Sequence, residues 1–563
     1  MKFGYLGILA VVLTSSACSP SSPEERAGNS GSVLQHDFTL SQAEFDALAP
    51  ETQFMVANKA LSTMYRGLPA DEFFDLTQGL DEPVVQYSNF VADIQTKLQE
   101  PLSSTQIAEQ ERILKGVEDD PSTEVDEEVR ALFRLDSRQN HQAYMGRIQS
   151  YPLSHDFFVS WMSYFLANTI MFSPAQEMES VQWEDTASVF RHLKTSMIAK
   201  APIRDVIRGW LNNLSRWRVS RSPENHALEM FELYLGKFND TEEDQLNTLN
   251  GGKVCSDRYL SDDDQRYALL SVDGHIPETV RVFDQYISSC EELYDVVAGH
   301  PLVIPRVTEV IVNYFLDGSS SEVKSQLINN IVATGPVSFD DIFLPVIFSK
   351  EFLLNSERPK TFEENAFNFL HAMHWTSRAE SGELDDEMMD RLLDYNRFDG
   401  GADIGVHRMG WASTAYKIGR TPFLPMDVLS FATYHKAIRE EVLMNQRAYD
   451  GCYHLGLDEN GSNGHQCWRN LSDEEISTAL SEKKWQVKNG GLYVAGTENL
   501  KTELEGLTAK DRRNHLRVDE DGIIQLEKTD GDRYWEDRAD DFAEVVLDYI
   551  SRLPEFYYYK AAN

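Results

Sequence analysis

The first eighteen residues constrain this chain more than any other stretch, because they decide where it folds. Lys2 precedes an apolar run from Phe3 to Leu13, and small residues follow up to Ala17. The run has about eleven residues, whereas roughly 20 are needed to span a bilayer. A short apolar core between a basic start and small residues is typical of a cleaved secretory signal peptide. Residues 1–17 are therefore predicted to direct export, so the rest would fold outside the cytoplasm, where disulfides form.

The next residue, Cys18, predicts a lipid anchor. Small residues followed by a cysteine resemble the lipoprotein box of bacteria, in which the thiol takes a diacylglycerol and the new amine is acylated. Several acyl chains hold a protein stably on a membrane. Ser15 departs from the leucine that is usual three residues before the cysteine, so a soluble periplasmic or secreted protein is the alternative. Ser19 is not the aspartate of inner-membrane retention, which favours the outer membrane.

The chain behind this anchor is strongly acidic. Among 563 residues, 91 Asp and Glu outnumber 52 Lys and Arg, which gives a formal charge of −39. Such a surface repels phosphate backbones, so nucleic acid is not a predicted partner. It also repels anionic lipid head groups, so the predicted contact with a membrane is the lipid anchor. Ser, Pro and Gly are frequent in residues 19–33, and residues 18–39 are predicted to form a flexible tether.

Four further cysteines fit an exported chain. An even number predicts disulfides, and pairing of neighbours gives Cys255–Cys290 and Cys452–Cys467. The second pair would close a loop of about 16 residues. In the chain-entropy model, a bridge of this length stabilises the folded state by roughly 3 kcal/mol. Residues 452–467 also read C-x-H and then H-x-C, four side chains that suit zinc. An oxidising compartment favours the disulfide, and no metal is assigned.

Beyond the tether, apolar residues recur at helical spacing along most of the chain. We predict a mainly α fold, with a multi-helical body and a smaller α+β, disulfide-containing C-terminal region. The predicted units are an N-terminal helical region (40–150), a helical core (151–440) and a mixed region (441–563). Residues 116–128 are acidic and contain a proline, which is typical of a linker.

Local signals place the individual elements. Ser41 and Glu44 form a capping-box pattern, which predicts a helix start. Residues 237–262 are polar and Gly-rich, and are predicted to form a connecting loop. Short β-compatible runs occur at 491–495 and 522–526, and glycines at 400–401 predict a turn. The predicted helices span 52–64, 153–172, 184–199, 203–215, 223–236, 276–298, 304–316, 321–333, 339–348, 362–375, 385–395 and 535–552.

Two ordered blocks of the core carry a family resemblance. Ser222 begins SPENHALEMFELYLGKFNDTEEDQL, a helical pattern followed by an acidic T-E-x-D turn. The sequence GHPLVIPRVTEVIVNYF then starts at Gly299, and FDDI with a later IFSKEF starts at Phe339. These blocks resemble an exported bacterial family, the domain of unknown function numbered eighteen hundred, over residues 150–440.

The resemblance implies a largely helical, exported protein that is often encoded beside a sulfatase-like partner. Leu228 stands where the family has Arg, and residues 164–169 lack both histidines of the family motif F-W-H-N-H-F. The resemblance therefore implies an architecture, a location and a sulfatase-like partner, and it implies no reaction.

Three carboxylates on the family-like helix and one histidine are the predicted catalytic residues. At 100° per residue, Glu224 and Glu232 lie about 80° apart, and Glu229 and Glu232 lie about 60° apart in the other sense. We expect all three on one side of the helix, where carboxylates can hold a divalent cation or act as acid and base. The alternative is a solvated acidic face that favours the helix N-terminus. His300, together with Arg306, is predicted to complete a polar pocket beside this helix.

The remaining motifs favour packing or turns over chemistry. His226 replaces the family's usual Tyr, which indicates packing. His371 and His374 share a helical face at a spacing that zinc accepts, but no third ligand is evident nearby. Ser321 and Lys324 fit the pattern S-x-x-K, which is short enough to arise by chance.

Structural Ca²⁺ is the one cofactor that the sequence suggests. Residues 458–469, 519–522 and 530–532 resemble incomplete calcium loops, with oxygen-bearing side chains at alternate positions. Ordinary turns have the same composition, because Asn, Asp and Gly tolerate left-handed backbone angles. No nucleotide-binding motif is present in the sequence.

These features predict an exported cell-envelope lipoprotein of unestablished activity, most consistent with a binding or assembly component outside the cytoplasm. One alternative is a hydrolase acting on an envelope or environmental polymer through the carboxylate-bearing helix. The other is a calcium-stabilised surface structural protein.

Overall fold

The structure is a computed structural model in which helices dominate. It describes residues 36–68, 73–75, 84–101, 103–105, 153–167, 169–171, 192–213, 222–259, 278–360 and 558–562, with short pieces at 270–271, 364, 397–398, 402–403, 516–518 and 524–526. Of these residues, 62% are helical. The predicted mainly α fold is therefore confirmed.

The helices follow the predicted order closely. The helix predicted at 321–333 has those bounds in the structure. The helix predicted at 184–199 is described from residue 192 and ends at residue 198. In chain order the helices are α1 (Gln42–Asp46), α2 (Pro50–Ser62), α3 (Phe90–Gln99), α4 (His155–Ala167), α5 (192–198), α6 (Ile203–Leu211), α7 (Pro223–Leu235), α8 (Glu242–Val254), α9 (Cys290–Gly299), α10 (Val303–Phe315), α11 (Ser321–Ala333), α12 (Asp340–Ile347) and a π-helical turn (Glu351–Asn355).

Hydroxyl side chains fix the starts of many of these helices. The capping box predicted at Ser41 is confirmed, since its side chain accepts from the Glu44 backbone and Glu44 reaches back to the Ser41 backbone. The same hydroxyl cap is made by Ser222 before α7 and by Ser289 before α9. Each cap satisfies a backbone N–H that the first helical turn leaves without a partner.

The strands are short and form two-stranded antiparallel pairs. The strand Ile524–Leu526 falls in the predicted run at 522–526, and the strands Arg397–Phe398 and Ala402–Asp403 flank the predicted turn at 400–401. The pairs are β1 (Phe74–Asp75) with β2 (Val84–Val85), β3 (Arg258–Tyr259) with β4 (Leu270–Ser271), β5 (Val280–Val282) with β6 (Gln285–Ile287), β7 (Arg358–Pro359) with β12 (Tyr558–Tyr559), β8 (Arg397–Phe398) with β9 (Ala402–Asp403), and β10 (Leu516–Val518) with β11 (Ile524–Leu526).

The predicted loop at 237–262 is wrong, because helix α8 occupies much of it. Thr241 caps this helix, and three acidic residues in its first turn favour the N-terminal end of the helix dipole. Glycines count against a helix, yet Gly251 and Gly252 lie where α8 packs on α7. A Cβ at Gly251 would lie 2.8 Å from the Cβ of Ala227, so close approach of the two helices requires glycine there.

The helix predicted at 276–298 is also wrong over its first half, where β5 and β6 form a hairpin. Val280 pairs with Ile287 and Val282 with Gln285, which leaves a two-residue turn. Such turns need a positive φ, and Phe283 adopts φ 52° without being the usual Gly or Asn. Its ring packs against Phe231 at 5.0 Å between centroids, and this contact offsets the backbone strain.

The core beneath these elements is rich in aromatic rings. Trp161 of α4 is fully buried, and its ring centroid lies 5.7 Å from Phe165, 6.1 Å from Phe315 and 5.5 Å from Phe343. Aromatic rings bury large apolar areas and gain further from edge-to-face contacts. These rings therefore hold α4, α10 and α12 together.

Segments that are distant in sequence meet at one place in the fold. Leu40 donates its backbone N–H to the Phe348 carbonyl at 2.8 Å, and Lys350 donates to the Phe38 carbonyl at 2.9 Å. Helix α2 packs on the π-helical turn, and β12 pairs with β7. Residues 38–40, helix α2 and strand β12 thus all pack on the segment between residues 348 and 359.

The predicted disulfide Cys255–Cys290 is confirmed, and it joins the end of α8 to the start of α9. The predicted bridge Cys452–Cys467, the linker at 116–128 and the helices predicted at 362–375, 385–395 and 535–552 lie outside the described residues. In the part of the chain that the structure describes, no helix is long and apolar enough to cross a bilayer.

Candidate functional site

The most concentrated group of buried polar side chains lies where the distant segments meet. We name it the junction cluster. Its members are Lys59, Tyr314, Ser356, Arg358, Glu364 and Tyr559. They come from α2, α10, the segment after the π-helical turn, and β12, and none exposes more than 4% of its surface.

Lys59 is the most strongly perturbed base of this cluster. Its ammonium donates to the Ser356 carbonyl at 2.6 Å and to the Lys560 carbonyl at 3.5 Å. It also lies 5.0 Å from the centre of the Phe352 ring. Burial, and then the nearby charge of Arg358, lower the pKa of Lys59 to about 7. Lys59 therefore changes its charge near neutral pH.

Arg358 and Glu364 form a fully buried ion pair. The guanidinium donates to both carboxylate oxygens, at 2.8 and 2.5 Å, in the bidentate geometry that makes such pairs strong. Burial alone would lower the pKa of Arg358, but the charge of Glu364 more than offsets it and the pKa is raised. The Tyr314 hydroxyl donates to the same carboxylate at 3.4 Å.

Tyr559 closes the cluster from the C-terminal strand. The Arg358 guanidinium lies 4.9 Å from the centre of the Tyr559 ring, which is a cation–π distance. Burial raises the pKa of the Tyr559 phenol well above its ordinary value, and the charge of Glu364 raises it further. The phenol therefore stays neutral at any physiological pH.

A lysine with a low pKa beside a serine can serve as a base for a nucleophile, and the geometry of Ser356 bears on this chemistry. The Lys59 ammonium lies 3.3 Å from the Ser356 hydroxyl oxygen. The hydroxyl, however, donates to the Phe352 carbonyl at 2.8 Å, so its proton is directed to the main chain. Ser356 is also only 2% exposed. The cluster as arranged holds four segments together.

The structure spreads the three predicted carboxylates over different environments. Glu224 is exposed and lies against Gly252 of α8, whereas Glu229 is only 4% exposed and Glu232 is half-buried. At 100° per residue, the side chains of Glu224 and Glu229 lie about 140° apart around the helix axis. The two carboxylates therefore face different surroundings. The alternative of a uniformly solvated acidic face does not describe the buried Glu229.

His300 and Arg306 lie at the other end of α7 from Glu224. Arg306 donates to the Leu233 carbonyl at 3.4 Å and lies beside Gly236, the left-handed residue that ends the helix. His300 accepts from the Leu302 backbone at 3.2 Å through Nδ1. Burial, and then Lys237 and Arg204, lower the pKa of His300. These residues cap helix ends, and the structure does not bring them to Glu224.

His226 belongs to a buried polar group next to the disulfide. Its Nε2 lies 3.1 Å from the Tyr294 hydroxyl, to which Arg258 donates at 3.3 Å. Arg258 also pairs with Glu291, one residue after Cys290. The packing predicted for His226 is confirmed, since the residue is fully buried.

A second buried polar pair joins two helix starts. His155, the first residue of α4, lies 3.3 Å from a carboxylate oxygen of Asp340, the first residue of α12. The Lys200 ammonium lies 3.9 Å from the same oxygen. Asp340 also stands at a helix N-terminus, where a negative charge is favourable. This group fixes α4 against α12.

Of the other motifs, Ser321 and Lys324 lie in the described part of the chain, and the rest lie outside it. Ser321 is exposed at the start of α11, and the Lys324 ammonium donates to the Asp317 carbonyl at 3.0 Å. His371, His374 and the three calcium-like loops lie outside the described residues. Within the described ranges, no three His, Cys, Asp or Glu side chains group as metal ligands.

Comparisons of the whole chain with protein-family models, curated proteins and solved structures find no match. The resemblance to the family numbered eighteen hundred therefore rests on the motif residues alone and stays a prediction.

Sequence reasoning missed the junction cluster, although one signal was present. Lys59 falls on the apolar stripe of α2, between the buried Val56 and Ala60. A lysine in the middle of such a stripe needs a buried acceptor. Its acceptor is 297 residues away, and no local pattern marks Ser356 as that partner.

Proposed function

We propose that this protein is an exported lipoprotein of the bacterial cell envelope, anchored to the outer membrane through Cys18, and that it acts as a binding or assembly component. The observation that carries the proposal is the Cys255–Cys290 bridge between α8 and α9. Structural disulfides persist in oxidising compartments and are rare in the cytosol. A buried bridge within the helical body agrees with the export signal at residues 1–17.

A binding role is favoured over catalysis by how the buried polar groups are used. The buried ion pair Arg358–Glu364 and the buried polar pair His155–Asp340 join separate segments. The Ser356 hydroxyl donates to a main-chain carbonyl, and Glu224 and Glu229 have different surroundings. These contacts support a rigid body, and the part of the predicted tether before residue 36 would hold it away from the membrane, because Phe38 and Thr39 already pack on the body. A sulfatase-like protein is the partner that the family resemblance suggests.

The test is to follow the N-terminal peptide in cells. The full chain would be expressed with a clickable palmitate analogue, the envelope fractionated, and the first mature peptide identified by mass spectrometry. We expect a triacylated peptide that begins at Cys18, in the outer-membrane fraction. A Cys18→Ala variant should lose the label and leave the membrane.

A Ser19→Asp variant is the matched control, because it keeps the anchor and changes only the sorting residue. It should carry the same acyl chains but move to the inner membrane. Unprocessed chain in the cytosol, with the thiols of Cys255 and Cys290 reduced, would contradict the proposal.

A further inference from the structure

The C-terminal segment Tyr558–Ala562, here called the tail, is bound mainly through its backbone. Strand β12 pairs with β7 through two residue pairs, and Ala562 donates to the Leu354 carbonyl at 2.8 Å. Ala561 donates to Glu357 at 3.5 Å. An extended segment added to a sheet edge in this way is a common mode of peptide recognition.

One side chain of the tail enters the protein. Tyr559 is 4% exposed, and its ring lies 4.9 Å from the Arg358 guanidinium and 5.1 Å from the Lys360 ammonium. The other tail residues are half-buried. The site thus recognises an extended backbone and one aromatic ring, with Lys59 donating to the carbonyl of the next residue.

The site keeps its own charges paired when the tail is removed. Arg358 is paired with Glu364, and Lys59 donates at 2.6 Å to the Ser356 carbonyl, so neither cation depends on the tail alone. Removing the sole partner of a buried charge is strongly unfavourable. That penalty does not arise here, so the tail can leave while the receiving residues stay paired.

We propose that the site formed by Lys59 and residues 354–360 is a binding site for an extended peptide with a tyrosine followed by a lysine. We further propose that the tail of a second copy of this chain occupies it in exchange for the chain's own tail. A second copy offers the same backbone and the same ring, which is the condition for exchange of an element between copies.

The exchange rests on the proposed function, because anchoring concentrates copies in the plane of a membrane. A tail in the same chain has the advantage of a high effective concentration, and trans binding needs a comparable local concentration. Lipid-anchored copies meet that condition, whereas dilute copies in solution do not. The exchanged strand would then link neighbouring copies into an assembly.

The experiment uses the purified mature chain and a fluorescent peptide with the sequence of residues 554–563. The Tyr559→Ala chain keeps the receiving site and weakens its own tail, so we expect it to bind the peptide roughly tenfold or more tightly than the wild-type chain. A peptide with the same Tyr559→Ala change is the matched control and should not bind. Wild-type chains on vesicles with an N-terminal lipid should form dimers that excess peptide dissolves.

Absence of peptide binding by a folded Tyr559→Ala chain would overturn the proposal, as would wild-type chains that remain monomeric on vesicles. If Tyr559→Ala does not fold, a chain that ends at Tyr559 replaces it, because it keeps the buried ring and removes only the contacts of residues 560–562. The vesicle attachment is made chemically, so failure of natural lipidation leaves this result unaffected and is detected separately by the N-terminal peptide.

Discussion

Two parts of the molecule are cross-linked by different physical means. Cys255 and Cys290 join α8 to α9 across 35 residues with a covalent bond. In the junction cluster, Lys59 and Ser356 are joined across 297 residues by a hydrogen bond between buried groups. A disulfide acts mainly by restricting the unfolded chain. Buried charges act only while their partners stay in place. The first region should respond to reductant, and the second to pH and to single substitutions.

The largest expected effect is the loss of the covalent link. Replacing both Cys255 and Cys290 by Ala should lower the free energy of unfolding by about 4 kcal/mol, the chain-entropy value for a loop of this length. Urea unfolding followed by circular dichroism measures the change. Reduction of the wild-type chain should give a loss of similar size, and equal stability of the oxidised and reduced chains would contradict a structural role for the bridge.

The next largest effect should come from removing the carboxylate of Glu364, which pairs with Arg358. Glu364→Gln keeps the size of the side chain but leaves a buried guanidinium without its counter-charge, so we expect a loss of about 3 kcal/mol. Glu309→Gln is the matched control, because it breaks the Arg306–Glu309 pair in which Glu309 is 45% exposed. Exposed pairs are worth about 0–1 kcal/mol. Equal losses in the two variants would mean that the junction is solvated.

The two regions also differ in how far the sequence predicts them. A cysteine in an exported chain indicates a disulfide, and the nearest cysteine is a good candidate for its partner. The bridge Cys255–Cys290 could therefore be predicted. Helix starts such as Ser41 could be predicted for the same reason, because the cap and its acceptor lie within one turn. Local signals suffice where the interaction is local.

The junction cluster could not be predicted, because Lys, Ser, Arg and Glu are common residues and their partners are set by the tertiary fold. The different surroundings of the carboxylates on α7 could not be predicted for a related reason. Helical angles place Glu224 and Glu229 on a helix, but the neighbouring α8 covers part of that helix and decides which side is buried. The hairpin at Phe283 was missed because its turn lacks the usual glycine, and the contact with Phe231 that offsets the strain is distant in sequence.

A smaller effect should appear in the pH dependence of stability. The pKa of Lys59 falls from 10.5 to about 7 on folding, so the unfolded chain binds more protons between those values. Stability should therefore rise as the pH increases from about 7 towards 10.5, and the cost of burying the charge is complete below pH 7. Lys59→Met removes this cost and should raise stability at pH 6 by about 1–2 kcal/mol.

The measurement is the difference in free energy of unfolding between the Lys59→Met and wild-type chains at several pH values. The difference should shrink as the pH rises above 7. Lys97→Met is the control, because Lys97 is exposed on α3 and its replacement removes a positive charge without altering the junction. A difference that is the same at pH 6 and pH 9 would show that Lys59 does not change its charge in this range.

The smallest effect should come from the solvent-facing edge of the same junction, where Lys350 and Glu44 approach to 2.6 Å with side chains 32% and 46% exposed. The hydrogen bond from Lys350, and then those from Ser41, lower the pKa of Glu44 from 4.5 to about 2.

The stabilising contribution of Glu44 is therefore present above pH 4.5 and is lost as the pH falls through about 2. Glu44→Gln should cost about 0.5–1 kcal/mol at pH 7 and only a fraction of that at pH 2, where the folded carboxyl is about half protonated, and high salt should reduce the loss. Glu322→Gln, in the exposed first turn of α11, controls for the helix dipole. The Glu44→Gln loss should be smaller than the Glu364→Gln loss and should depend on salt. Two losses of equal size, both insensitive to salt, would show that burial does not set the strength of the Arg358–Glu364 pair.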